Sequence, residues 1–334
     1  MNKKLFSFAG IVIAAVTLAA SSPAQTRPAR ENVANDTLSF LPPSDGVMVI
    51  DVRRLLNETL PQVFAGDSAK LAQINSEIDK FKTETGVDAR ALNRIVLGTR
   101  YVYPSANVTK FETIAVAHGT FDPKAIAAAG RAKAQGRYRE EKYRGATIMI
   151  FGVNDQMRVL GLWNMRVSDL AVTALDTQTL AIGKPATVRA AIEAGRAGAR
   201  ANVALAALAT RDPNAVIGFS GNITPQLTAN LNAGTDAMAA DIRSIHQVYG
   251  SIGSTQTDIS ITLVARTDTP ASAKNLSDTV AGLKQLGAIL ILRMTGPRKA
   301  LAESALANLK ITTQANEMQI RTEIPAASLA SIIK

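Results

Sequence analysis

The chain has 334 residues, 37 of them Lys or Arg and 27 Asp or Glu, for a net charge of +10, with 4% aromatic residues and no cysteine. The missing thiols exclude disulfides and an acylated lipoprotein cysteine, so stability has to come from the core. Scarce aromatics count against stacking platforms for single-stranded nucleic acid. The basic residues are scattered, with no run of five or six like charges, and favour only a loose attraction to anionic envelope polymers or lipid headgroups.

Lys3 and Lys4 precede an apolar run from Leu5 to Ala20, and Ser22-Pro23-Ala24 supplies small residues after it. A basic start, a short apolar centre and a small-residue exit predict a signal peptide over residues 1–24. The run falls short of the roughly 20 apolar residues of a membrane span. The expected product is exported, periplasmic or extracellular, and soluble after cleavage. Residues 25–37 are polar and without an apolar period, which predicts a disordered leader.

Order is expected from Leu38. Turn residues Leu41 to Gly46 deliver a buried strand, Val47 to Val52. Leu71, Ile74, Ile78 and Phe81 recur at helical spacing and Gly86 ends that helix. Arg94 to Tyr103 and Phe111 to Phe121 read as strands joined by a turn at Pro104 to Asn107. Asp122-Pro123 opens a helix, with Asp as cap and proline at the first helical position. Tyr138 to Val153 reads as a hairpin turning at Arg144-Gly145, and Val167 to Gly183 as another turning near Asp176-Thr177. Pro185 starts a helix with Val188 and Ile192 inward.

Thr224-Pro225, Thr269-Pro270 and Ile324-Pro325 repeat the proline junctions of the first part. Two pseudo-repeated halves are therefore expected, residues 38–198 and 199–334, with the hairpin at 138–151 matched to 311–324. The fold class is α+β, antiparallel sheets with helices packed on one face, because short turns join adjacent strands. The most apolar later segment, Leu286 to Leu292, is short and flanked by Lys284 and Arg293, so no second membrane span is expected.

The inventory for chemistry is thin. His118 and His246 are the only histidines and show no metal-ligand spacing, so no metal is expected. Gly218-Phe219-Ser220-Gly221-Asn222 lacks the last glycine of a nucleophile elbow, and Ser272-Ala273-Lys274 is one residue short of S-x-x-K. Gly250-Ser251-Ile252-Gly253 reads as a hairpin turn, and no glycine-rich phosphate loop occurs. Glu140 and Glu141 point to opposite faces of their strand and read as members of cross-strand charge pairs. The same hairpin holds the densest basic cluster, which makes Arg139, Lys142 and Arg144 the candidate anion contacts.

Leu41-Pro42-Pro43-Ser44-Asp45 enters the first strand and Thr85-Gly86-Val87-Asp88 leaves a helix. Gly119-Thr120-Phe121-Asp122-Pro123 precedes a helix, and Tyr143-Arg144-Gly145 lies in the next hairpin. Over about residues 40–150 these elements resemble a loose group of exported, uncharacterised bacterial proteins with internal α+β repeats. The resemblance implies a fold, with no activity or ligand attached.

The sequence thus supports an exported, non-enzymatic envelope protein with a binding or scaffolding role and no cofactor. Its expected partners are cell-envelope components or an apolar small molecule held between sheet and helices; nucleic acid is not among them. One alternative is a surface-associating protein that binds anionic envelope polymers. Another is a hydrolase using converging carboxylates.

Overall fold

The structure is a computed structural model. It describes residues 37–105, 108–134, 137–159, 163–198, 202–229 and 235–330, with backbone only for residues 133, 153–159 and 163–168. The expected signal peptide, most of the expected leader, and Ala106 and Asn107 of the first hairpin turn lie outside these residues. Thr37, the last residue assigned to the leader, is buried.

The turn Leu41 to Asp45 is clamped from far along the chain. The Asn202 side chain accepts from the Ser44 amide at 2.8 Å and donates to the Pro42 carbonyl at 2.9 Å. Strand β1 (Gly46–Asp51) follows, and Asp51 ends it by accepting from the Arg54 amide to cap helix α1 (residues 52–63). Helix α2 (Ser68–Thr85) buries Ile74 and Ile78 of its predicted stripe and stops at Gly86, whose φ of 73° suits a residue without a side chain. Strands β2 (Leu92–Ser105) and β3 (Val108–Gly119) pair antiparallel. Helix α3 (Pro123–Lys133) begins as read, with Asp122 accepting from the Lys124 amide.

Four strands form the next meander: β4 (Tyr138–Tyr143), β5 (Ala146–Val159), β6 (Trp163–Ala174) and β7 (Thr179–Gly183). The tight turn between β4 and β5 holds Arg144 and Gly145 at φ of 50° and 87°, the left-handed pair that matches strand twist. Helices α4 (Pro185–Ala197) and α5 (Val203–Ala209) lead to β8 (Ala215–Asn222). Short helices α6 (Pro225–Thr228) and α7 (Asp236–Arg243) precede β9 (Ile245–Ser254) and β10 (Asp258–Thr267). The chain closes with α8 (Pro270–Ile291), α9 (Pro297–Ala307), β11 (Lys310–Gln314), β12 (Glu317–Pro325) and α10 (Ala326–Ala330).

Among the described residues, twelve strands join one antiparallel sheet in the order β11-β12-β10-β9-β8-β1-β2-β3-β7-β6-β5-β4. The α+β class and its antiparallel pairing are thus as read. The single helix-bearing face is corrected. Val47 and Val49 of β1 enter one apolar cluster, with Val188 and Ile192 of α4 and Leu205 of α5. Ile50 enters another, with Leu60 of α1, Ile74 and Ile78 of α2, Ile126 of α3 and Leu301 of α9. Successive side chains alternate across the sheet, so the two clusters lie on opposite faces and both carry helices. The central strands had announced this by being apolar on both parities, as strands covered on both sides are.

Two further readings change. β12 pairs directly with β10, whereas β7, β6 and β5 separate β4 from β3, so the hairpins at 138–151 and 311–324 do not hold matching places. Gly250 to Gly253 is no turn: Gly250 pairs with Leu263, and Gly253 pairs with Ser260 inside the β9–β10 ladder. A Cβ at Gly250 would lie 2.0 Å from the Thr262 carbonyl oxygen, so this glycine serves close backbone approach.

Candidate functional site

The basic hairpin does not gather its cations. Arg139 and Lys142 stand on opposite faces of β4, and Arg144 lies in the turn. Each is also engaged. Arg139 pairs with Asp169 at 3.4 Å, Arg144 with Glu193 at 3.0 Å, and Lys142 donates to the Thr147 hydroxyl. Glu141 accepts two bonds from Arg189 at 2.7 and 2.6 Å, while Glu140 accepts from Arg131 and the Tyr138 hydroxyl. The expected cross-strand pairs are corrected: the residues opposite Glu140 and Glu141 are Met149 and Ile148, so the charges reach to helices α3 and α4 instead. Hydrogen bonds from those partners hold both glutamates below the ordinary carboxylate range. The two carboxylates do not converge.

The other residues singled out have local roles. The Ser220 hydroxyl is buried and donates to the Leu205 carbonyl at 2.7 Å, tying β8 to α5. Ser272 sits at the start of α8, 2.9 Å from the Thr269 hydroxyl. His118 pairs across the sheet with Arg94 and Thr179 in the backbone register, and His246 Nδ1 lies 3.4 Å from Asp268.

Helix α8 is different. Thr269 caps it by accepting from the Ser272 amide at 3.1 Å, and Pro270 occupies its first position. Its first half is anchored. Ala273 and Leu276 are buried, and Leu276 and Val280 pack with Ala265 of β10 and Met318 of β12. The Thr279 hydroxyl donates to Asp241 of α7 at 2.6 Å.

The second half departs from that pattern. Leu283, Leu286, Ile289 and Leu290 are 44, 58, 58 and 62% exposed, and Leu292 just past the helix is 71% exposed. Only Lys284, Gly287 and Ile291 are half-buried on this stretch, one stripe at helical spacing. The Lys284 ammonium donates to the Leu309 carbonyl at 2.7 Å, and Leu306 of α9 comes within 3.8 Å of where a Gly287 Cβ would stand. A helix end apolar around most of its girth is normally enclosed by protein or lipid. This one faces out.

No known protein family and no curated protein matches the chain. Among solved structures it is similar to TP0453, a Treponema exported protein of uncertain function. The crystal form IV structure aligns at a TM-score of 0.47 and 11% identity, covering 89% of this chain and 95% of that one. Crystal form III aligns at 0.46 and 10%, covering 89% and 96%.

The segment Leu286 to Leu292 was visible in the sequence as the most apolar later stretch, but its shortness drew attention only as evidence against a membrane span. The signal that finds it is the break in period. The stripe of α2 stays amphipathic, whereas α8 becomes apolar on nearly every position after Lys284. Among the described residues no helix is long and apolar enough to cross a membrane.

A polar network on the sheet face opposite α8 was also missed. Arg266 donates to Glu317 at 3.0 and 2.7 Å and to Gln247 at 2.7 Å, and the Tyr249 hydroxyl donates to Glu317 at 2.9 Å. Arg211 and Arg266 stand over the Tyr249 ring at 5.3 and 5.7 Å. Burial pushes the Glu317 carboxyl up, but its bonds to Arg266 and Tyr249 and the nearby guanidinium charges outweigh that and hold it below its ordinary value. A depressed carboxylate stabilises the fold above its unfolded pKa, and that contribution drains away as pH falls through the folded value. Glu317→Gln is expected to flatten the acid limb of the stability curve and to change the neutral-pH end least in shape. Thermal unfolding followed from neutral pH down through the carboxylate range measures this; parallel curves for the two proteins would remove Glu317 from the acid response.

Proposed function

We infer that the protein is an exported, non-enzymatic envelope protein whose binding element is the exposed apolar end of helix α8. One observation carries this reading: five large aliphatic side chains from Leu283 to Leu292, on and just past the end of a helix whose first half is firmly packed, are 44–71% exposed. Because each is already partly covered, leaving them in water without a partner forfeits about 1–2 kcal/mol of burial for each side chain that docking encloses. Contiguous exposed apolar patches of this sort mark sites where proteins meet other proteins or membranes. The signal peptide expected over residues 1–24 supports an encounter in the envelope.

The test is fractionation of host cells carrying the wild-type chain or a Leu286→Ser/Leu290→Ser variant. The wild type is expected to sediment with the envelope fraction, and the variant to move mainly to the soluble fraction with its circular dichroism unchanged. Equal distribution of the two proteins would overturn the assignment of this helix end as the binding element.

A further inference from the structure

We propose that the partner of the α8 end is an anionic lipid surface, in whose interface the last two turns of the helix lie. The inference rests on the reading of this helix end as a docking element and names what it docks on.

The breadth of the patch comes first. At about 100° per residue, Leu283, Leu286, Ile289, Leu290 and Leu292 spread over about half the helix circumference, while Lys284, Gly287 and Ile291 occupy about 60° on the covered side. A helix that fits a protein groove presents a narrow line of anchors at i, i+3, i+4 and i+7. A bilayer interface takes a broad apolar face and needs no matching groove.

Charge comes second. From Thr279 to Ala302 the only charged residues are Lys284, Arg293, Arg298 and Lys299; the nearest acids are Asp278 before them and Glu303 after them. Lys284 is held by the Leu309 carbonyl, and Lys299 lies 3.7 Å from Glu303. Among the described residues, Arg293 and Arg298 have no ion-pair partner, and they flank the turn at Gly296 that joins α8 to α9. An apolar face rimmed by unmatched guanidinium groups complements acyl chains edged by phosphate headgroups.

Length decides the mode. Leu286 to Leu292 is seven residues, about 10 Å of helix against a hydrocarbon core of about 30 Å, so this end lies in the interface and does not cross. The packed half of α8, fixed by Leu276 and Thr279, keeps the sheet outside the bilayer.

The absence of cysteine makes a site-specific test simple. The full chain carries Leu290→Cys labelled with an environment-sensitive fluorophore, and a control carries Ser76→Cys on the exposed side of α2. Each is mixed with vesicles of phosphatidylethanolamine and phosphatidylglycerol, with phosphatidylcholine vesicles, and with host envelope membranes. The expected result is a blue shift and bromolipid quenching at position 290 on anionic vesicles, with no response at position 76. Added Arg293→Ala and Arg298→Ala substitutions are expected to weaken the response roughly 30-fold at low salt. A position-290 probe silent on anionic vesicles but responsive on host membranes overturns the lipid assignment and leaves the docking element standing. Silence on both overturns both. An equal response on phosphatidylcholine overturns the role of the arginines.

Discussion

Gly218→Ala is expected to destabilise the protein by about 3 kcal/mol or more, near the upper end for overpacked core sites. Gly218 lies in the middle of β8, between Val49 of β1 and Ser251 of β9. A Cβ there would lie 1.8 Å from the carbonyl oxygen of Ala209, the buried last residue of α5. The obstacle is backbone, so no rotamer change relieves it. Helix α5 would have to lift away from the sheet, and with it Leu205, whose carbonyl accepts the Ser220 hydroxyl. Urea unfolding followed by circular dichroism measures the loss. Gly66→Ala serves as control, since no atom lies within 4 Å of its added Cβ, and it should change the midpoint little. A midpoint for Gly218→Ala equal to that of the control would mean that α5 does not sit on β8 at this distance.

The elements that were legible in the sequence are those set by local chemistry. Asp122-Pro123, Gly86 and Arg144-Gly145 fix where a helix starts, where one stops and where a hairpin turns, and each works within a few residues of chain. What the sequence hid is long-range. Asn202 reaches back to clamp Pro42 and Ser44, and β8 returns to pair with β1 at the sheet's centre. Gly250 misled for the same reason: glycines that permit close strand approach look like turn glycines until the neighbouring strand is known. The basic hairpin does not gather its cations, and Asp169 and Glu193, distant in sequence, pair with two of them. The α8 end stayed hidden for the opposite reason. Nothing distant covers it, and a sequence shows apolar character without showing exposure.

Leu180→Ala and Leu290→Ala remove the same atoms, yet their expected costs differ by about 2–5 kcal/mol. Leu180 in β7 is fully buried, set between Ala117 of β3 and Ala174 of β6, and its truncation leaves a cavity in the main core. Leu290 is 62% exposed, so its truncation removes little packing and substitutes a better helix former. Surface changes of this kind stay within about 0.5 kcal/mol. Urea unfolding of the two variants separates the cases, and a loss above about 1 kcal/mol for Leu290→Ala would show that it packs in the fold and would remove it as a docking residue. The contrast bears on function. A leucine that the fold does not need, kept in water among Leu286, Ile289 and Leu292, costs solubility and gives no stability in return. Four such residues, joined by Leu283 and set on a helix anchored at its other end, are what an encounter with an apolar surface requires. Arg293 and Arg298, beside this helix end, favour a surface edged with negative charge.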